Sequence, residues 1–192
     1  MLFYQEINLR PDNEVGLFFL WEKIYQQIHL GLVETQTNDG IVTLGLAFPG
    51  YQAKSTQLGN QLRIFAKASE QLEAFNVEVR LSRMYEYVDI SAVNPVPEHI
   101  ENHACFYRIQ PKSNLERLAR RKAKRQQIST EAALALLEGF NEQICNAPYI
   151  WIKSQSSGER FRLFIGRIDV SEPSYQGFTS YGLSRLSTVP IF

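Results

Sequence analysis

Residues 4–33 read YQEINLRPDNEVGLFFLWEKIYQQIHLGLV, and this stretch decides the fold. Tyr4 to Leu9 alternates like a strand, and Arg10-Pro11-Asp12 ends it. From Leu17 to Val33 the apolar positions Leu17, Leu20, Trp21, Ile24, Ile28 and Leu32 share one helical face. A strand followed by an amphipathic helix, joined by a short polar turn, opens an α+β chain.

Working outward, Thr37-Asn38-Asp39-Gly40 is a turn by composition. Ile41 to Phe48 is a β-rich run stopped by Pro49-Gly50, and Leu62 to Ala66 reads as a short strand. Ser69 is suited to cap a helix through Phe75. The alternation in Val77-Glu78-Val79-Arg80-Leu81 predicts a further strand. The resulting order, β-α-β-β-α-β, is the ferredoxin-like arrangement that RNA-recognition modules also use. Many unrelated functions share it, and no RNP1-type aromatic motif is present.

Asn94-Pro95-Val96-Pro97 predicts a linker. Residues 1–100 are therefore expected to form a ferredoxin-like (RRM-like) domain. Residues 101–192 are expected to form a smaller α+β domain with an arginine-rich helix. Its predicted elements are a strand at Ala104–Gln110, a basic helix near 114–127 and a second helix near 130–145. Strands follow at Tyr149–Lys153, Phe161–Arg167 and near Phe178–Tyr181.

The 192 residues carry no net charge and are 44% hydrophobic, a globular and not a disordered composition. The halves differ: residues 1–100 hold 7 Lys/Arg against 12 Asp/Glu, and residues 101–192 hold 13 against 8. A polyanion would meet the second half. Cys105 and Cys145 form no CxxC pair, so neither a disulfide framework nor a zinc site is expected, and a reduced cytoplasm suits them. The opening segment lacks the layout of a signal peptide, and no apolar run reaches the ~20 residues of a membrane span.

Residues 112–125 contain seven basic residues and one acid. At about 100° per residue, Arg117, Arg120, Arg121, Lys124 and Arg125 fall within an arc of about 140°. Solvated surface helices usually mix signs. An arc of five cations, repelling one another at i, i+4 spacing, points to a nucleic-acid phosphate backbone.

Three segments flank this helix in order. Tyr107-Arg108-Ile109-Gln110-Pro111-Lys112-Ser113-Asn114 precedes it. Lys153-Ser154-Gln155-Ser156-Ser157-Gly158-Glu159-Arg160-Phe161-Arg162-Leu163 follows it. Gly177-Phe178-Thr179-Ser180-Tyr181-Gly182-Leu183-Ser184 lies near the end. With the opening Tyr4…Pro11-Asp12, they resemble the type I-F (Ypest subtype) CRISPR repeat-processing endoribonucleases along the whole chain. The region around residues 84–102 has little to match.

The resemblance implies a metal-independent, cofactor-free endoribonuclease. It would bind the CRISPR repeat stem-loop and cut precursor CRISPR RNA at the 3′ base of the hairpin by attack of a 2′-hydroxyl. It would then stay on the guide RNA beside other subunits of a surveillance complex. His29 matches the family's histidine, Ser154 the serine that pins the 2′-hydroxyl, and Tyr181 the tyrosine that orients the histidine. By residue type alone, His29 is a core histidine whose place near a helix C-terminus favours the imidazolium. Ser156 and Ser157 would line the phosphate path. Arg108 and Gln110 match the pair that reads base edges low in the stem, residue types suited to guanine and adenine respectively. Phe161 matches the aromatic that stacks on the terminal base pair. His99 and His103 match nothing and are expected at the surface or in packing. A competing reading is a catalytically silent RNA-binding subunit that caps a guide RNA, which needs neither His29 nor Ser154.

Overall fold

The computed structural model describes residues 1–111, 115–137, 145–155 and 157–192, apart from the side chains of Glu116 and Arg117. Two compact units result: Met1–Ile109 together with Ala147–Phe192, and Gln110–Asn146.

In the larger unit, β1 (Phe3–Leu9) turns Gln5, Ile7 and Leu9 inward, the period-2 burial expected of a strand with one covered face. It pairs antiparallel with β3 (Gln61–Ala66), from Phe3↔Ala66 to Asn8↔Gln61. β3 pairs antiparallel with β2 (Gly45–Ala47). The sheet runs β2-β3-β1-β4, with β4 at Val88–Ile90. Helix α1 (Leu17–Glu34) buries Leu20, Trp21, Ile24, Tyr25, Ile28, His29 and Leu32, the apolar stripe that its spacing predicted. The Trp21 indole N–H donates to the Gly59 carbonyl at 2.7 Å, which leaves no orphaned donor in the core.

Helix α2 (Ser69–Phe75) forms as expected, but Ser69 does not cap it. Gln71 Oε1 does so instead, accepting from the N–H groups of Lys67 and Ala68. The strand expected at Val77–Leu81 is instead a one-turn helix, α3 (Val77–Arg80). Asn76 adopts left-handed backbone (φ 49°), and its side chain accepts from the Val79 N–H at 3.3 Å. Val77 and Leu81 are buried while Val79 is 66% exposed, the i, i+4 pattern of a helix. The fourth strand is β4, which follows a 3-10 turn at Ser82–Tyr87. The expected linker is partly strand: β5 (Asn94–Pro95) pairs with Tyr4 and Phe3.

A second antiparallel sheet in the same unit runs β7-β8-β6-β9: β6 is Asn102–Ile109, β7 Tyr149–Lys153, β8 Arg160–Val170 and β9 Val189–Ile191. Helix α1 packs against β7 as well as β1. The strand expected near Phe178–Tyr181 is not one. Only Phe178 pairs, in an isolated bridge to Val42, because the run Ile41–Phe48 is strand just at Gly45–Ala47. Two glycines seat this segment. A Cβ on Gly45 would meet the Phe178 ring at 2.5 Å, and Gly182 has φ +67° with Leu46 Cγ 2.4 Å from where its Cβ would be. The Leu46 N–H donates to Gly182 O at 2.9 Å, fixing residues 177–183 against β2.

The smaller unit holds α4 (Leu115–Gln126) and α5 (Thr130–Ala135). They close on Ala119, Ala123 and Ala133, with Ile128, Leu134 and Leu137 around them. Ser129 caps α5 by accepting from the Ala132 N–H at 3.1 Å. The second expected helix stops at Ala135, with Leu136 and Leu137 in a turn, and its expected stretch from residue 138 to 144 lies outside the described residues.

Candidate active site

His29 sits about one and a half turns from the end of α1, on its buried face, and is 7% exposed. Its Nδ1 lies 2.8 Å from the Ser180 carbonyl oxygen. A carbonyl can only accept, so Nδ1 carries the hydrogen and the lone pair of the neutral ring is on Nε2. The ring also stacks on Tyr181, centroids 4.5 Å apart and planes within 4°. Burial pushes the His29 pKa down, only partly opposed by the bond to Ser180. The preference for the imidazolium expected from the helix C-terminus is thus reversed, because losing water costs the charged ring more than the helix end returns.

Tyr25, one turn earlier, donates its hydroxyl to the Tyr181 carbonyl at 2.8 Å. Adjacent carbonyls, Ser180 and Tyr181, are therefore both held by side chains of α1. The Arg108 guanidinium lies 5.3 Å from the Tyr181 ring centroid and 5.1 Å from that of Phe161. The residues His29, Tyr181, Arg108 and Phe161, drawn from four separate segments, form one continuous cluster. Gln110 lies one residue beyond β6 and is exposed.

Ser154 follows β7 in the turn that leads to β8. Its N–H donates to Glu159 O at 2.8 Å, its carbonyl accepts from the Gly158 N–H at 2.9 Å, and its Oγ accepts from the Ser157 N–H at 3.3 Å. Ser157 is exposed, and Ser156 lies outside the described residues. Gln26, one turn before His29, grips the neighbouring Lys153 backbone. Its Oε1 accepts from the Lys153 N–H at 2.9 Å, and its Nε2 donates to the Lys153 carbonyl at 3.4 Å. This fastens the start of the Ser154 turn to the C-terminal half of α1. A cleft of about 470 Å³ lies there, lined by Ser154, Gln155 and Gly158 and by Glu22, Gln26 and Leu30 of α1.

Neither Tyr25 nor Gln26 stands out in the sequence as functional. Tyr25 had a signal: a tyrosine four residues before His29 on a buried face needs a partner for its hydroxyl. Gln26 had none.

In the smaller unit, Arg120, Arg121, Lys124 and Arg125 of α4 are exposed, and no ion pair engages them among the described residues. The Arg117 side chain lies outside the described residues. Lys122 donates to the Leu136 carbonyl at 3.3 Å. Among the described residues, no three His, Cys, Asp or Glu side chains gather where they could hold a metal ion, and no helix is long and apolar enough to cross a membrane. Both cysteines are free thiols. His103 is the strand partner of Pro190 across β6 and β9 and takes no part in the cluster around His29.

The family model described as CRISPR-associated protein (Cas_Csy4) matches residues 4–192. The CRISPR-associated endonuclease Cas6/Csy4 of Pseudomonas aeruginosa (strain UCBPP-PA14) is 35% identical over 191 residues, covering 98% of each chain. The protein of the same name from Escherichia coli (strain UTI89 / UPEC) is 33% identical over 190 residues, again covering 98% of each. With a match that spans nearly every residue, this chain belongs to the Cas_Csy4 family of CRISPR-associated proteins.

Proposed function

We propose that this chain is a metal-independent endoribonuclease that binds the stem-loop of a CRISPR repeat and cuts the precursor RNA at the 3′ base of the hairpin. The observation that carries the proposal is the His29 arrangement. A neutral imidazole, its hydrogen committed to Ser180 and its other nitrogen basic, stands beside a cationic and aromatic platform of Arg108, Phe161 and Tyr181.

His29 Nε2 takes the proton of the 2′-hydroxyl. The 2′-oxygen forms a bond to phosphorus, the bond from phosphorus to the 5′-oxygen breaks, and that oxygen takes a proton from water. The products are a 2′,3′-cyclic phosphate and a 5′-hydroxyl. Ser154 pins the 2′-hydroxyl in line. Phe161 stacks on the terminal base pair, and Arg108 with Gln110 reads base edges above it. Ser156 and Ser157 flank the phosphate path.

The first sheet, with order β2-β3-β1-β4 and helices between, supports a ferredoxin-like domain over residues 1–100. Residues 101–192 are the RNA-gripping half, in which Arg117, Arg120, Arg121, Lys124 and Arg125 meet phosphates. After the cut, the protein stays on the guide RNA, within a complex of other subunits in the cytoplasm.

Incubation with a repeat hairpin in EDTA tests the reading. Cleavage is expected, with a cyclic phosphate product and none when the cut-site 2′-hydroxyl is deoxy. His29→Ala should slow it by about 10²–10⁴-fold while the hairpin still binds. An absolute magnesium requirement, or wild-type cutting by His29→Ala, would defeat the proposal; the latter would leave a silent RNA-binding subunit.

A further inference from the structure

A strand paired on one side only leaves a row of N–H and C=O groups facing outward. β7 is the outer strand of the second sheet, and Lys153 is its last residue. The Gln26 side chain covers both peptide groups of Lys153: Oε1 accepts from the N–H at 2.9 Å, and Nε2 donates to the carbonyl at 3.4 Å. A primary amide holds acceptor and donor side by side, so it meets one residue as a further strand would. Lys153 pairs with Arg160 across β7 and β8, and Arg160 is ion-paired with Glu22, one turn before Gln26 on α1. Both strands are thus held to α1 at the pair that opens the Ser154 turn.

We infer that Gln26 is a positioning residue for cleavage, setting where Ser154 stands relative to His29. This inference rests on the endoribonuclease reading and adds a residue to it.

The bonds that Ser154 makes to Ser157, Gly158 and Glu159 close within the turn. They fix its shape and not its place. Gln26 supplies the place, from the helix that also carries the base. It lies three residues before His29, about 60° around α1 and roughly 4.5 Å along it. His29 acts on the proton of the 2′-hydroxyl and Ser154 on its oxygen, so moving one against the other spoils the line of attack. A shift of about 1 Å in such an alignment can cost about 100-fold in rate. The Arg160 side chain is 55% exposed, which leaves its ion pair weak, so the placement falls mainly to Gln26.

A pair of substitutions tests it. Gln26→Met keeps the side chain's length and its helix propensity and removes both bonds. Single-turnover cutting of a repeat hairpin by saturating protein is expected to slow roughly tenfold, with hairpin affinity unchanged. Gln26→Ala should behave the same. In a Ser154→Ala background either change should cost nothing further, since a residue that acts through Ser154 has nothing left to place. A residue that only covers a strand edge would slow both backgrounds by the same factor. Wild-type cutting by the Gln26 variants or by Ser154→Ala, a loss that multiplies with that of Ser154→Ala, or a loss confined to affinity would each overturn the positioning role while leaving the endoribonuclease reading intact. No cutting of the hairpin by the unaltered chain would overturn that reading, and the positioning role with it.

Discussion

At the level of single residues, His29 is governed by two neighbours and by its loss of water. Burial lowers its pKa, so the ring stays neutral at a pH where an ordinary imidazole, near 6.5, is already protonated. A base acts when neutral. The acidic limb of the cleavage rate is therefore expected below the ordinary imidazole range, read from single-turnover rates between about pH 4.5 and 8; a limb above about 6.5 would contradict the burial argument. The same shift has a stability consequence. The unfolded chain protonates His29 first, so the stabilisation present above its unfolded pKa is lost as pH falls toward the folded value. Tyr25 offers an independent check. Tyr25→Phe removes the donor to the Tyr181 carbonyl and frees the segment that holds His29's hydrogen. It should cost about 0.5–1.5 kcal/mol in stability and slow cutting several-fold, with hairpin affinity unchanged. If affinity falls and the rate at saturation does not, Tyr25 supports the fold and not the base.

At the level of elements, the proposed function divides binding between α4, by charge, and β6, by base reading. Arg121 is exposed on α4 with its cationic neighbours Arg120, Lys124 and Arg125. Arg121→Ala should weaken all hairpins alike and flatten the salt dependence by roughly one unit, since each phosphate contact contributes about 0.7–0.9 to the slope. Arg108→Ala should cost about 1–3 kcal/mol on the cognate stem and much less on one with the contacted pair exchanged. Titrations of both variants on both stems at several salt concentrations separate the two roles, and equal losses for Arg108→Ala would make it another phosphate contact. These elements differ in how plainly they read from sequence. The 3.6-residue period of α1 and the alternation of β1 are each long enough to have one interpretation. Val77–Leu81 is too short for that: the same apolar spacing fits a strand or a turn of helix, and Asn76's left-handed backbone decides it. The segment carrying Ser180 and Tyr181 has no period at all, being fixed by the Gly45 and Gly182 contacts with Phe178 and Leu46. Its role came from family likeness, and the carbonyl of Ser180, a backbone group, has no signature in a residue string.

At the level of the whole molecule, the two units have separate cores. Among the described residues, every buried residue of the main core belongs to Met1–Ile109 or Ala147–Phe192, and Ala119, Ala123 and Ala133 form a small core of their own. The ends that flank the smaller unit are close together, because Ile109 and Tyr149 pair with Phe164 from opposite sides of β8. That is two strand spacings, about 10 Å. A Gly/Ser linker of about six residues has an r.m.s. reach of about 13 Å and can replace residues 111–146 without straining the sheet. The shortened chain should unfold cooperatively, with a midpoint near that of the full chain, because none of the replaced segment's described residues belongs to the main core. Its RNA behaviour should change greatly. The replaced segment carries seven Lys/Arg against four Asp/Glu, and losing an arc of five phosphate contacts should flatten the salt slope by about four units. Cutting at saturating RNA should persist, since His29, Ser154, Tyr181, Arg108 and Phe161 all remain. Thermal unfolding, salt-dependent titration and single-turnover cleavage on the one variant decide the three points separately. A lost cooperative transition would make the cores interdependent. An unchanged salt slope would remove the basic helix from the grip, and lost cutting at saturation would mean that the smaller unit positions the scissile phosphate as well as holding the stem.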